Sequence, residues 1–266
     1  MFNSLQAAFQ QARQALTPVA TESSFLHTGM LTPEEFVIAG DSLCAQLRIW
    51  RWARSALGFE KEYLPPEKQF LVLRGAVASQ RARDMETGVA DSEMTEDGEW
   101  VASGGPAPTE DEYADINDNL DNYIDPAVAA MVAADVGVAA PLKVDRRMYT
   151  LAIVYDKYYR TPRVYLQGAT PSGQVLLPEQ MMEDIVQDYA GKTATMERHP
   201  HSPDAGIYVS IHPCRHAATM KRLLQACSDG SAPTITSYMT YFLKFITSMI
   251  PTIEYDYTPS ASVSGR

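Results

Sequence analysis

Cysteine is scarce in this chain of 266 residues: Cys44, Cys214 and Cys227 are the only three. A small odd number argues against a disulfide framework and fits a reducing compartment. No apolar run approaches the ~20 residues that a membrane-spanning helix requires. The N-terminus lacks the charged-then-apolar pattern of a signal peptide. No basic patch and no RNA-binding motif stands out, so nucleic acid is not an expected partner. Lys and Arg are absent altogether from residues 84–142, where 15 acidic residues fall. The net charge is −11, so with those 15 unmatched charges set aside the rest of the chain carries +4. Hydrophobic residues make up 45%, enough for one sizeable core with extensions left over.

What is present centres on residues 211–216, Ile211-His212-Pro213-Cys214-Arg215-His216. Upstream, residues 206–211 alternate apolar and polar, the pattern of a strand. Downstream, Ala217, Met220, Leu223 and Leu224 recur at helical spacing towards Gly230. Cys214 thus falls where a strand hands over to a helix. Unpaired N–H groups and the helix dipole favour negative charge there, and a thiolate is the nucleophilic form of cysteine. His212, Arg215 and His216 add cationic character. The same cysteine also fits a buried, inert role. A metal site is a further alternative, since His199, His201, His212, Cys214 and His216 lie close in sequence. Their spacing does not match the common zinc patterns, so no metal is expected.

Residues 2–16 place Phe2, Leu5, Phe9, Ala12 and Leu16 on one helical face and Asn and Gln on the other. That is an amphipathic helix, suited either to packing on the domain or to shallow insertion into a bilayer surface. Thr32-Pro33-Glu34-Glu35 is a helix start with a capping box, and the helix is expected to run to about Leu47. Trp50 and Trp52 are expected to pack as aromatics. Residues 63–74 read as a turn followed by a strand. Residues 149–155 and 162–166 read as paired strands. Residues 178–189 read as one helix closed near Gly191, residues 192–197 as a short strand, and residues 237–250 as an apolar helix stopped by Pro251. The acidic stretch is too polar to pack and too long for a plain loop, which predicts a flexible insertion.

The run 210–217, Ser-Ile-His-Pro-Cys-Arg-His-Ala, resembles the catalytic segment of the autophagy-related protein 3 family. So do residues 25–41, the paired tryptophans, residues 63–74, the run 155–163 (Tyr-Asp-Lys-Tyr-Tyr-Arg-Thr-Pro-Arg), residues 192–197 and residues 250–258. The matches fall in the family's order. The chain departs from it at residues 75–79, which lack an expected Pro-Cys, and between its last two helices, where an acidic arm of some members is missing.

The resemblance implies an α+β fold: a ubiquitin-conjugating-enzyme-like sheet flanked by helices, with a long flexible acidic insertion and an N-terminal amphipathic helix. Its expected parts are a membrane-binding helix at 1–18, a catalytic core at 19–83 and 142–258, an insertion at 84–141 and a disordered tail at 259–266. Cys214 is the expected catalytic residue, carrying an autophagy ubiquitin-like modifier as a thioester from an activating enzyme and passing it to phosphatidylethanolamine. His212, Pro213 and Thr193 are the expected supporting residues. Tyr113 and Ile116 bracket a short motif of the kind that binds the modifier. Phe2, Leu5, Phe9 and Leu16 are the expected membrane contacts. No cofactor is expected, because ATP is consumed by the activating enzyme. The expected location is cytoplasmic, with transient visits to membranes. A cysteine hydrolase using Cys214, and a non-enzymatic scaffold, remain the alternatives. The hydrolase would need a base and an orienting Asn or Asp.

Overall fold

The computed structural model describes residues 16–82, 146–190, 192–226 and 232–254, together with Arg13 and Met85. A single helical turn, α1 (Phe25–Thr28), stops at Gly29, whose φ of 74° is left-handed. A Cβ at Gly29 would lie 2.0 Å from the Ala217 carbonyl oxygen, so conformation and close approach both require glycine.

The capping box forms as the sequence predicts and starts α2 (Pro33–Gln46). Thr32 Oγ1 accepts the Glu35 amide at 3.1 Å, and Glu35 Oε2 accepts the Thr32 amide at 2.8 Å. The helix buries Phe36, Ala39 and Leu43. Then come β1 (Arg51–Ala53) and β2 (Phe70–Ala78). Beyond the acidic stretch, β3 (Arg147–Asp156) and β4 (Thr161–Ala169) form the expected hairpin. Next are two short helices, α3 (Pro178–Met182) and α4 (Gln187–Ala190), followed by β5 (Ala194–Arg198) and β6 (Ile207–Ile211). The chain ends its described part with α5 (His216–Ala226), α6 (Tyr238–Met249) and β7 (Ile253–Glu254).

The strands make one seven-stranded sheet in the order β1-β2-β3-β4-β6-β5, with β7 paired to β2. Every pairing is antiparallel. The fold class is therefore α+β, as expected, with the sheet backed by helices. Along β2, Leu71 and Leu73 point to one face and Phe70 and Val72 to the other, the two-residue period of a strand. The first face carries the main core, closed by α2, α5 and α6 through Phe36, Leu43, Met220, Leu224, Phe242 and Ile246. Each large apolar side chain buried there contributes about 1.5–3 kcal/mol. Buried tyrosines find partners at its edge: Tyr238 Oη donates to the Gly29 carbonyl at 2.6 Å, and Tyr155 Oη to the Leu31 carbonyl at 2.7 Å. Trp50 is core, while Trp52 packs edge-on to Phe36 at 5.6 Å and donates Nε1–H to Asp41 at 2.9 Å. The second face holds a smaller cluster of Phe70, Val72, Ala152, Val154, Tyr165 and Tyr208.

One expectation is corrected. Residues 178–189 do not make a single helix but break between α3 and α4. At the break the Asp184 carboxylate turns inward. It accepts from Arg147 Nε and Nη2, both at 2.8 Å, from Arg81 at 3.2 Å and from the Tyr149 hydroxyl. The Val186 amide leaves the helical pattern to reach the Met249 carbonyl at 3.0 Å. A buried carboxylate needs such partners more than the segment needs two further helical bonds. The expected N-terminal helix, apart from Arg13 and Leu16, lies outside the described residues, as do nearly all of the acidic stretch and the tail.

Candidate functional site

β6 ends at Ile211, and its last amide contact passes to the loop before β5: His212 N–H donates to the Thr193 carbonyl at 2.8 Å. Pro213 then starts a short 3₁₀ turn, Pro213–Arg215, which runs directly into α5. His212 caps that turn, its Nδ1 accepting the Cys214 amide at 3.3 Å. The ring proton of neutral His212 therefore sits on Nε2. Pro213 is buried and anchors the loop, while Cys214 is exposed to solvent. The bury-or-expose question left open by the sequence is settled by that exposure: Cys214 is not a core residue.

Thr193 supports the loop through its backbone. Its own amide donates to the Tyr189 carbonyl at 2.9 Å, and its hydroxyl donates to the same oxygen at 3.3 Å. Its carbonyl holds His212. The Tyr159 ring packs edge-on to His212 with centroids 5.2 Å apart. Asp156 fixes the β3–β4 turn that carries Tyr159, its Oδ1 accepting the Tyr158 and Tyr159 amides at 3.0 Å each. The Arg13 guanidinium stacks 3.6 Å from the Tyr158 ring centroid on the same turn.

Beneath the loop lies an ionic cluster that the sequence reading did not single out. Arg163 is buried between the Glu197 carboxylate, with which it pairs, Asp156 at 3.9 Å and the Ser210 hydroxyl at 2.8 Å. These residues come from β3, β4, β5 and β6, so only the sheet topology brings them together. Part of the signal was the run 155–163, which contains Asp156, Tyr159 and Arg163. Burial, and then the charge of Arg163, push the His212 pKa down, against Glu197 and Asp156, which push it up.

The five residues clustered in sequence do not cluster in space. His216 is buried on the core face among Phe242 and Phe245, with Nδ1–H donating to the Pro162 carbonyl at 2.9 Å. His199 and His201 lie on the other face against Phe70. Burial lowers the pKa of His216 and of His199 to about 4, and that of His201 to about 3. Among the described residues no Asp, Asn or Glu side chain hydrogen-bonds the His212 ring. Leu16 is described and is 85% exposed. Phe2, Leu5, Phe9, Tyr113, Ile116 and Cys227 lie outside the described residues.

Cys214 is thus an exposed thiol on a backbone-fixed loop, at a strand-to-helix junction of an α+β sheet. Residues 35–257 match the family described as "Autophagocytosis associated protein, active-site domain". The chain is 36% identical over 299 residues to Autophagy-related protein 3 of Arabidopsis thaliana, covering 96% of this chain and 95% of that protein. It is 32% identical over 295 residues to Autophagy-related protein 3 of Schizosaccharomyces pombe, covering 98% and 100%. With Autophagy-related protein 3 of Dictyostelium discoideum it shares 34% identity over 335 residues, covering 97% and 98%. The chain belongs to the autophagy-related protein 3 family and is a conjugating enzyme of autophagy, similar in kind to ubiquitin-conjugating enzymes.

Proposed function

We propose that Cys214 accepts the C-terminal glycine of an autophagy ubiquitin-like modifier as a thioester and transfers it to the amine of phosphatidylethanolamine. The single observation that supports this most is the exposure of Cys214 on the turn entering α5, in a chain of this family. In the first step the Cys214 thiolate attacks the thioester carried by the activating enzyme, and that enzyme's thiolate leaves. In the second the neutral lipid amine attacks the carbonyl carbon, the C–S bond breaks, and Cys214 departs as thiolate while the nitrogen loses a proton. A thioester is a good donor because thiolate leaves readily; the remaining barrier is the tetrahedral oxyanion and the amine proton.

In this reading His212, Pro213 and Thr193 position the loop. His212 Nδ1 is engaged by the Cys214 amide, and the Thr193 carbonyl by the His212 amide. With the His216 imidazole buried away from solvent and, among the described residues, no Asp, Asn or Glu side chain hydrogen-bonded to the His212 ring, nothing here supports the relay that a Cys-His hydrolase needs. The acidic stretch 84–141 serves docking of the activating enzyme, and residues 113–116 hold the modifier. Residues 1–18 bring the enzyme transiently to membranes from the cytoplasm through Phe2, Leu5, Phe9 and Leu16. Among the described residues no helix is long and apolar enough to cross a membrane.

The test is a non-reducing gel with modifier, activating enzyme and ATP. Wild type forms a reductant-sensitive adduct. Cys214→Ser forms a reductant-stable oxyester, because alkoxide is a poorer leaving group. Cys214→Ala forms none; an adduct on Cys214→Ala refutes the assignment.

A further inference from the structure

The strand that leads to Cys214 has only a short backbone tie to the body of the sheet. The ladder between β4 and β6 places Tyr165 opposite Ser210 and Leu166 opposite Val209, with no further pair among the described residues. β6 is paired along its whole length with β5 alone, and β5 is an edge strand. Toward the thiol, β4 is joined to its neighbours by side chains instead. His216 Nδ1–H donates to the Pro162 carbonyl at 2.9 Å. The next residue, Arg163, reaches three strands at once. Its Nε donates to Ser210 Oγ on β6 at 2.8 Å, its Nη2 pairs with Glu197 on β5, and its Nη1 lies 3.9 Å from Asp156 Oδ2 at the end of β3. The other Asp156 oxygen holds the Tyr158 and Tyr159 amides. A guanidinium has the rigid planar fork that suits such bridging.

The charge of Arg163 also bears on His212. The Arg163 side chain is 4% exposed, so water and salt screen its field little. Around the His212 ring stand Arg163 from β4, Asp156 and Tyr159 from the end of β3 and its turn, Glu197 from β5, Arg13 from the N-terminal stretch, and Cys214 and His216 from its own loop and helix. After burial, Arg163 is the largest influence favouring the neutral ring, and the two carboxylates oppose it. The loop needs that neutral ring. An imidazolium carries a proton on both nitrogens, so its Nδ1 could not accept the Cys214 amide. Without the guanidinium, two carboxylates would be left beside the ring, and they favour the imidazolium.

We infer that Arg163 is a positioning residue for the reaction at Cys214: its buried guanidinium fastens β3, β5 and β6 into one frame beneath His212 and keeps the His212 Nδ1 free to hold the Cys214 amide. It acts through His212 and not on the reacting atoms. The kinetic part of this inference rests on the reaction proposed for Cys214; the part concerning His212 does not.

Arg163→Gln, Arg163→Lys and Glu197→Gln are made in the full chain. The His212 ring and the Cys214 amide are followed by NMR from about pH 5 to about pH 9, with no modifier or activating enzyme present. In Arg163→Gln the ring should titrate about one pH unit higher than in wild type, and the Cys214 amide should move with it. Arg163→Lys keeps the charge and should titrate near wild type. Glu197→Gln removes an opposing carboxylate and should titrate lower. Single-turnover discharge is then read as the ratio of variant to wild type at each pH, which cancels the titration of the lipid amine. Arg163→Gln should be about fivefold slow between the two His212 titrations and recover above both. A rate slow by one factor at every pH, with His212 titrating as in wild type, would mean a packing brace alone and would overturn the inference. If Arg163→Gln does not fold, Glu197→Gln decides: its side chain is 22% exposed, and an unmoved His212 titration there refutes the coupling. The titration tests Arg163 even if an adduct on Cys214→Ala were to sink the reaction assigned to the thiol.

Discussion

The Nδ1 of His212 accepts the backbone amide of Cys214 at 3.3 Å, so the residue two before the thiol sets the thiol's own backbone. His212→Ala removes this cap, at a cost of about 1 kcal/mol in placing the turn. A shift of that size corresponds to roughly fivefold slower transfer from Cys214. His212→Asn keeps a short acceptor and should recover most of the rate. Single-turnover discharge of the charged enzyme measures this. A His212→Asn variant as slow as His212→Ala would mean that the imidazole acts chemically and not as a cap.

Acid should destabilise the protein through its buried histidines. His199, His201 and His216 have folded pKa values lowered to about 4, about 3 and about 4 from an ordinary value of 6.5. The folded state therefore keeps them neutral while the unfolded chain takes up protons below pH 6.5. Stability is full above that pH and falls as pH drops, until each folded pKa is passed. At pH 5.5 each histidine costs on the order of 1 kcal/mol, and the three together several. Urea unfolding at pH 7.5 and 5.5 reads the difference, and replacing one of the three by Gln should remove about a third of it. A pH difference unchanged by the replacement would put the acid sensitivity elsewhere.

Asp184→Asn should be among the most destabilising polar changes in the core. It leaves the Arg147 guanidinium, with only 1% of its side chain exposed, without its buried counter-charge. Breaking such a pair costs about 3–5 kcal/mol. Tyr149→Phe removes a single donor to the same carboxylate and should cost about 1 kcal/mol. Equilibrium denaturation of the two variants gives both numbers. Equal losses would show that the hydroxyl and the guanidinium are interchangeable partners.

Much of this arrangement was legible from local pattern. The capping box at Thr32 and Glu35, the β3–β4 hairpin and the strand-to-helix junction at Cys214 are short-range features whose residues carry their own geometry. What was not legible depends on partners distant in sequence. The helical period over 178–189 could not register that Arg147 draws Asp184 inward. The histidine cluster looked continuous in sequence, yet the chain reversal after β5 sends His199 and His201 to one face and His216 to the other. Arg163, Glu197 and Asp156 gather only once four strands are in register.

The N-terminal stretch gives a prediction from sequence alone. Arg13 is the only charged side chain between Phe2 and Leu16, so attraction to anionic lipid should be weak. On the proposed membrane role, burial of Phe2, Leu5, Phe9 and Leu16 would supply the binding, each worth at most ~1.5–3 kcal/mol. Leu5→Asp should abolish lipid transfer and leave the thioester at Cys214 intact, with wild type favouring small vesicles over large. Loss of the thioester in Leu5→Asp would show instead that the helix is part of the folded domain.

Strands β2 and β3 are neighbours, and Ala78 sits directly opposite Arg147 in their register. Everything from Ser79 to Arg146 therefore leaves and rejoins the sheet through a single mouth, closed by Arg147 Nη2 donating to the Gln80 carbonyl at 2.6 Å. The cost of closing such an excursion grows only with the logarithm of its length, about 0.6 kcal/mol per doubling. Changes in the length of this passage should therefore cost the sheet little, whereas Arg81 at its start is held by its bond to Asp184. Divergence among relatives should concentrate there, while the strand ends that frame it stay fixed.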